Sequence, residues 1–214
     1  MKKSNENAGK VICVSHPLLA HSLTILRDKR TTTEDFRRHA DVVSKIILVE
    51  ATKHLSTIRR NIETPLAPFT GRELNDKIIV VPVLRAGLAM LIALRDFLPA
   101  VAVGFIGLER DEQTAQAREY YQKLPKIFAS HIVIVIDPML ATGGSFNNTI
   151  TALKKKGAKR IVAVSVVSAP EGVEALHRLH PDVLVITGAI DASLNTKKFI
   201  IPGLGDFGDR YFGT

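Results

Sequence analysis

The 214-residue chain contains no tryptophan, three tyrosines and one cysteine, Cys13. A single cysteine excludes an intrachain disulfide and a cysteine-rich zinc site, and it fits a reducing compartment, so the expected location is the cytoplasm. Long apolar runs are also missing. No stretch approaches the roughly 18 apolar residues of a membrane span. The first apolar run, 11-VICV, is broken by Ser15, His16 and Pro17 and is too short for the core of a signal peptide. Acidic residues are outnumbered: 29 Lys and Arg against 21 Asp and Glu leave a net charge of +8, which favours anionic partners such as phosphates, nucleotides or nucleic acid.

What is present is the composition of a packed globular protein, 46% hydrophobic and 23% charged, which excludes a disordered or collagen-like chain. The length suits one α/β domain with a sizeable core. Residues 1–10 are expected to be a flexible tail and residues 11–214 a single domain.

Two helices are expected near the start. Pro17 sits at an N1-like position before Leu18, His21, Ser22, Ile25 and Leu26 on helical spacing, ending near Arg27. Thr31 followed by Glu34 has the spacing of a capping box, and Phe36, Ala40, Val43, Ile47, Ala51 and Leu55 then recur at three to four residues along one long helix. From residue 77 the pattern changes. The runs 78-IIVVPVL, 101-VAVGFIG, 132-IVIVID, 161-IVAVSVV and 183-VLVITGA are apolar at nearly every position and are separated mostly by helix-like segments. Strands of this kind are buried on both faces, and their alternation with helices predicts an α/β fold with a mostly parallel central sheet flanked by helices. In such a sheet, ligands bind at the carboxyl ends of the strands. The polar connection 109-ERDEQTAQAREYYQKLPKIFAS is expected to be a hairpin or mobile flap, since loops of that length inside compact domains often serve as lids.

The strongest chemical signal is 137-DPMLATGGS, placed between the buried strand 132-IVIVI and the helical pattern beginning at Phe146. Gly143 and Gly144 let main-chain N–H groups approach a phosphate, Thr142 and Ser145 add hydroxyl donors, and the helix N-terminus adds a favourable dipole. The loop has neither the lysine of a Walker P-loop nor a G-x-G-x-x-G pattern. Asp137, at the strand end, sets a carboxylate beside this cradle, where it can accept hydrogen bonds from a bound ligand. Arg85 follows the strand 78-IIVVPVL and precedes the small turn Ala86–Gly87, which aims a bidentate guanidinium at the strand-end crevice.

The segment DPMLATGGS resembles the phosphoribosyl-pyrophosphate loop of uracil phosphoribosyltransferases. The segments 82-PVLRAGLAM, 120-YYQKLP and 202-PGLGDFGDRYFGT resemble further signatures of that family in the family's order, so the resemblance spans about residues 16–214. It implies a phosphoribosyltransferase-like fold with a flap and a C-terminal base-binding loop. The implied activity is transfer of the 5-phosphoribosyl group from phosphoribosyl pyrophosphate to uracil, giving UMP and pyrophosphate. Magnesium would arrive on the diphosphate, with no metal held by side chains, and the chain would form a homodimer or higher homo-oligomer.

The resemblance assigns Arg85, Arg110, Asp137 and Asp206 to the phosphoribosyl pyrophosphate, together with Pro138, Met139, Leu140, Ala141, Thr142, Gly143, Gly144 and Ser145. It assigns Ile200, Gly205, Asp206 and Phe207 to uracil, with Gly205 and Phe207 reading the base through main-chain groups; Arg85, Arg110 and Asp137 are the expected catalytic residues. Three features of the local sequence stand out. Glu109 precedes Arg110 where the family more often has an aromatic, Phe207 stands in the pocket wall where alanine is more usual, and Pro138 occupies a place where many phosphoribosyltransferases have a second carboxylate.

Weaker candidates remain. Lys123 in the flap is more simply a solvated lysine, and His177 and His180 are expected to face solvent rather than a metal. The run 154-KKKGAKR suits a helix end with Gly157 as its cap. The basic segment 27-RDKRTTT is a candidate site for a regulatory purine nucleotide such as GTP. An RNA-binding regulator of pyrimidine genes built on the same fold is the alternative that the +8 charge leaves open.

Overall fold

The computed structural model describes residues 9–110 and 117–214, apart from the side chains of residues 109, 110 and 117–119. Residues 1–8 of the expected tail and 111–116 of the expected flap lie outside the described residues. Gly9 and Lys10, also expected in the tail, are instead tied to the body: Gly9 N–H donates to Pro181 O (2.6 Å) and Val185 N–H to Lys10 O (3.1 Å).

The chain begins with β1 (Val11–Cys13), α1 (Pro17–Arg27) and α2 (Thr33–Thr52), followed by a hairpin of β2 (Thr57–Glu63) and β3 (Pro68–Leu74). Next come β4 (Ile78–Leu84), α3 (Gly87–Arg95), β5 (Ala102–Val103), β6 (Phe105–Arg110) and β7 (Ala117–Lys123). The second half runs through β8 (Ile132–Ile136), β9 (Met139–Leu140), α4 (Gly144–Lys155), β10 (Arg160–Ser168) and α5 (Pro170–Leu179). It closes with β11 (Leu184–Ile190), β12 (Ser193–Leu194), β13 (Ile200–Ile201) and α6 (Phe207–Phe212).

The main sheet follows the order β1-β11-β10-β8-β4-β6-β7, with β5 beside β4 and β9 beside β10. Every pair along that path is parallel except β6–β7, the hairpin at the base of the expected flap. Alternation along each strand feeds two cores. Ile132, Ile134 and Ile136 face the layer of α1, α2 and α3, whereas Val133 and Val135 face Phe146, Ile150 and Leu153 of α4 and Leu176 of α5. Burial on both faces is why these strands read as continuous apolar runs.

Several boundaries differ from the sequence expectation, each for a local reason. The cap of α2 is Thr32, whose Oγ1 accepts from Asp35 N–H (3.2 Å); Thr31 Oγ1 instead donates to Ile25 O (2.6 Å). Leu55 lies past the end of α2, in a turn closed by Leu55 N–H to Thr52 O (3.0 Å). The expected strand at 101–107 is split around Gly104 into β5 and β6. The aperiodic C-terminal stretch contains α6, which Asp206 caps by accepting from Asp209 N–H (2.9 Å).

His180 does not face solvent: it is 6% exposed, with Nε2 at 3.3 Å from both Asn147 O and Thr151 Oγ1, and burial lowers its pKa. His177 Nε2 lies 3.2 Å from Val183 O. Both histidines tie α5 to its surroundings. In 27-RDKRTTT, Arg27 pairs with Asp191, Arg30 with Asp28, Thr31 bonds Ile25 and Thr32 caps α2, so most of its polar groups serve the fold. The run 154-KKKGAKR ends α4 as expected, with Gly157 at φ +98°. Among the described residues, no helix is long and apolar enough to cross a membrane.

The displaced α2 cap is testable. Thr32→Ala should lower stability by about 1 kcal/mol, and Thr32→Ser, which keeps the acceptor, should cost much less. Urea denaturation of both variants measures this, and an unchanged midpoint for Thr32→Ala would place the cap elsewhere.

Candidate active site

Parallel pairing brings the carboxyl ends of β4, β8, β10 and β11 to one edge of the sheet. Pro82 of β4 pairs with Ile136 of β8. Arg85 therefore leaves its strand three positions past that pair, and Asp137 leaves the neighbouring strand one position past it. Each emerges over the same edge.

At Asp137 the chain breaks step with its neighbour. Pro138 has no N–H to give, and its carbonyl accepts from both Val166 N–H (2.9 Å) and Val167 N–H (3.0 Å) before β9 resumes the pairing with β10. This irregularity turns the Asp137 side chain into a buried position, where it is 9% exposed and accepts from Met139 N–H (3.3 Å). Burial pushes its pKa up from 3.8 to about 7; the Met139 hydrogen bond opposes the rise and the Asp206 charge adds to it. The carboxylates of Asp137 and Asp206 are thus electrostatic neighbours although 69 residues separate them in sequence.

The rest of the loop presents main chain rather than side chains at several positions. Leu140 is 1% exposed and belongs to the core, Pro138 is buried, and Met139 packs partly against the core. Thr142 is exposed, with its Oγ1 3.4 Å from Gly144 N. Gly143, at φ +81°, is the N-cap of α4 and supplies no side-chain acceptor, which leaves the first turn of the helix suited to an anion. Underneath lies α5. A Cβ on Gly172 would stand 2.3 Å from Ala141 O, so the loop rests directly on the α5 backbone. A Cβ on Gly144 would meet only Thr142 Oγ1, at 3.6 Å, so the second glycine leaves open space rather than relieving a clash.

Arg85 is exposed and pairs with Asp209 of α6 at 3.6 Å. Ala86 Cβ lies 3.8 Å from the place a Cβ on Gly208 would occupy, which sets the Arg85 turn against the first turn of α6. The structure therefore brings Arg85, Asp137, the 138–145 loop and Asp206 to one crevice. Arg110 ends β6, on the strand beside β4, and its main chain pairs with Ala117; its side chain and that of Glu109 lie outside the described residues.

The C-terminal candidates divide. Gly205, at φ +81°, and Asp206 are exposed on the turn that enters α6. Ile200 is 4% exposed and paired with Leu194 between β12 and β13. Phe207 corrects an expectation: its ring is 1% exposed, meeting Phe36 edge-on at 5.2 Å and stacking on Tyr211 at 5.9 Å. It is a core residue, so its difference from alanine concerns packing beneath the turn rather than a pocket wall.

Sequence reasoning missed the groups that hold this turn in place. Arg27 of α1 binds Asp191 in a two-point ion pair, and the pair bonds both main-chain groups of Gly203. Arg210 binds Leu204 O (2.7 Å), Asp28 O (2.7 Å) and Leu26 O. No local motif announces such contacts, which join residues up to 184 positions apart.

Comparison with known proteins places this geometry in a family. The model of the family described as uracil phosphoribosyltransferase matches residues 13–214. A uracil phosphoribosyltransferase from Dictyoglomus turgidum is 50% identical, covering 95% of this chain and 99% of the relative. One from Acholeplasma laidlawii is 44% identical over 96% of this chain and 99% of its own length. A solved protein structure from Aquifex aeolicus superposes with a TM-score of 0.90 at 33% identity, covering 95% of this chain and 98% of that one. A hypoxanthine phosphoribosyltransferase from Staphylococcus aureus shares the fold at a TM-score of 0.53 and 12% identity, covering 85% of this chain and 90% of its own. With the matched region running from β1 to the end of α6, the chain belongs to the uracil phosphoribosyltransferase family.

Proposed function

We propose that this protein transfers the 5-phosphoribosyl group of phosphoribosyl pyrophosphate to uracil, forming UMP and pyrophosphate. The observation that carries this reading is the joining of an uncapped helix N-terminus at Gly143, a buried carboxyl at Asp137 and an exposed arginine at Arg85 along one sheet edge. The RNA-binding alternative gains no support, since many basic side chains, among them Arg27, Lys45, Lys154 and Arg160, are engaged in ion pairs.

The 5′-phosphate would sit on the loop 140–145, against the start of α4. Asp137 would hold the ribose hydroxyls, and Arg85 would bind the diphosphate, to which the family resemblance also assigns Arg110. The C1′–O bond to the diphosphate breaks as the uracil N1–C1′ bond forms, and the N1 proton passes to solvent. Positive charge builds at the anomeric carbon and ring oxygen during the step, so the protein contributes by aligning the groups, neutralising the departing diphosphate and excluding water. A magnesium ion carried on the diphosphate would supply further charge neutralisation there. The crevice suits such a phosphate-borne ion, because Asp206 and Asp209 lie on the turn of α6 that faces Arg85. Uracil would be read by the main chain of residues 200–207. The reaction belongs in the cytoplasm, and residues 11–214 act as one domain.

A homodimer or higher assembly belongs to the same proposal. The β2–β3 hairpin exposes Ile58, Ile62 and Phe69 on one face and Leu66 at its tip. A lone two-stranded ribbon is marginal in water, and a second copy would cover it.

Three outcomes test the reading. With phosphoribosyl pyrophosphate, magnesium and a panel of bases, product should form with uracil and fall by about 10⁴ or more with cytosine, whose N3 and amino group oppose a main-chain array matched to uracil. Comparable use of cytosine would overturn the main-chain reading. Arg85→Ala should lower kcat/KM by roughly 100-fold or more, on the order of 3 kcal/mol, with little change in stability, because its ion pair with Asp209 is a surface pair. Near wild-type kinetics would remove Arg85 from the site.

The third concerns Asp137 without substrate. Its folded-state pKa of about 7 lies above the ordinary 3.8, so the native state keeps its proton while the unfolded chain releases it. Wild-type stability should then decline from about pH 4 to about pH 7, by up to about 4 kcal/mol from this group. Asp137→Asn should match the wild type near pH 4 and exceed it at pH 8. Parallel denaturation curves that keep a constant gap across that range would show the carboxyl is not held neutral.

A further inference from the structure

The turn that presents Gly205 and Asp206 is shaped by side chains from the ends of α1 and β11. Gly203 adopts φ +59°, and a Cβ there would lie 2.2 Å from Ile200 O, so the chain doubles back on itself at this residue. Both of its main-chain groups are held by one ion pair. Gly203 N–H donates to Asp191 Oδ2 (2.8 Å), and Arg27 Nη1 donates to Gly203 O (2.7 Å). Arg27 Nη1 and Nη2 also donate to the two Asp191 oxygens, each at 2.7 Å. The Asp191 side chain is 6% exposed and that of Arg27 26% exposed, so the pair is largely shielded from water.

The adjoining residue is held from the same quarter. Leu204 O accepts from Arg210 Nη1 (2.7 Å), while Arg210 Nη2 donates to Asp28 O (2.7 Å) and its guanidinium carbon lies 4.4 Å above the Phe36 ring. Arg27 of α1, and Arg210 of α6 docked on the end of α1, thus fix two successive residues just before the exposed turn. Glycine in a positive-φ turn has wide conformational freedom, and fixing both its N–H and its C=O selects one state.

From this arrangement we propose that Arg27 and Asp191 are positioning residues for the base: the pair orders the 203–206 main chain and thereby sets uracil affinity and selectivity without touching substrate. This rests on the reading of residues 200–207 as the uracil site. An ordinary stabilising ion pair would affect both substrates together or only the melting temperature. A positioning pair separates them, because phosphoribosyl pyrophosphate rests chiefly on the β8–α4 loop and the Arg85 turn, Asp206 adding only a side chain, whereas uracil is read by the main chain that the pair orders.

The test is steady-state kinetics of the full chain for Arg27→Lys and Asp191→Asn, varying uracil and phosphoribosyl pyrophosphate separately and adding cytosine, with melting temperature measured alongside. Asp191→Asn should raise KM for uracil about tenfold or more and narrow the uracil-to-cytosine preference by a similar factor, leaving KM for phosphoribosyl pyrophosphate within about threefold. Arg27→Lys keeps the charge and loses the two-point geometry, so it should fold and show a smaller shift of the same kind. If Asp191→Asn does not fold, Arg27→Lys decides alone. A wild-type KM for uracil in the folded variants, or equal increases for both substrates, overturns the positioning role while leaving the transferase reading intact. A wild-type protein that ignores uracil overturns that reading and this inference with it.

Discussion

Parallel pairing between strands buried on both faces is the constraint from which the rest follows. β11, β10, β8 and β4 have apolar neighbours above and below, so their middles have no place for polar chemistry. Where hydroxyls do occur, they are bonded within the sheet: Ser165, Ser168 and Thr187 lie 2.8–3.1 Å from one another, and Thr187 Oγ1 donates onward to Ala189 O (3.0 Å). Polar function is displaced to the strand ends, and parallel direction gathers those ends on one side. A carboxyl, an arginine, a glycine-rich loop and the C-terminal turn then meet without being near one another in sequence.

The same constraint explains which parts could be read in advance. β4, β8, β10 and β11 announce themselves because residues such as Val133 and Ile134 must both be apolar when the two faces are covered. The β2–β3 hairpin gives no such signal, since all residues of its two strands but Gly71 are exposed and its alternation is mostly polar. α6 is hidden for a different reason: it is short, and its start depends on an Asp206 side chain that could equally have served a loop. At α2, three adjacent threonines precede two adjacent acids, and spacing alone cannot choose between Thr31 and Thr32 as the cap.

The candidate site divides along the same line. The stretch from Asp137 to Ser145 is contiguous, so its chemistry is visible as a string of letters. The state of Asp137 is not, because it depends on burial and on Asp206. From sequence Phe207 belongs to a binding surface; packed between Phe36 and Tyr211, it is part of the interior. Arg27 and Asp191 are an unremarkable basic and acidic residue 164 positions apart, and only folding makes them partners.

Gly172 illustrates how the chemistry of a loop can depend on a residue that has none. A carbon placed there would lie 2.3 Å from Ala141 O, whereas carbon and carbonyl oxygen ordinarily approach to about 3.3 Å. Accommodating one methyl group would lift the 138–145 loop by roughly 1 Å, a displacement that can cost an enzyme about 100-fold in rate. A saturation scan scored only by activity would rank position 172 beside the substrate-contacting residues, although it lies on the far side of the loop. The map of intolerant positions in such a protein is therefore a map of clearances as much as of reacting groups.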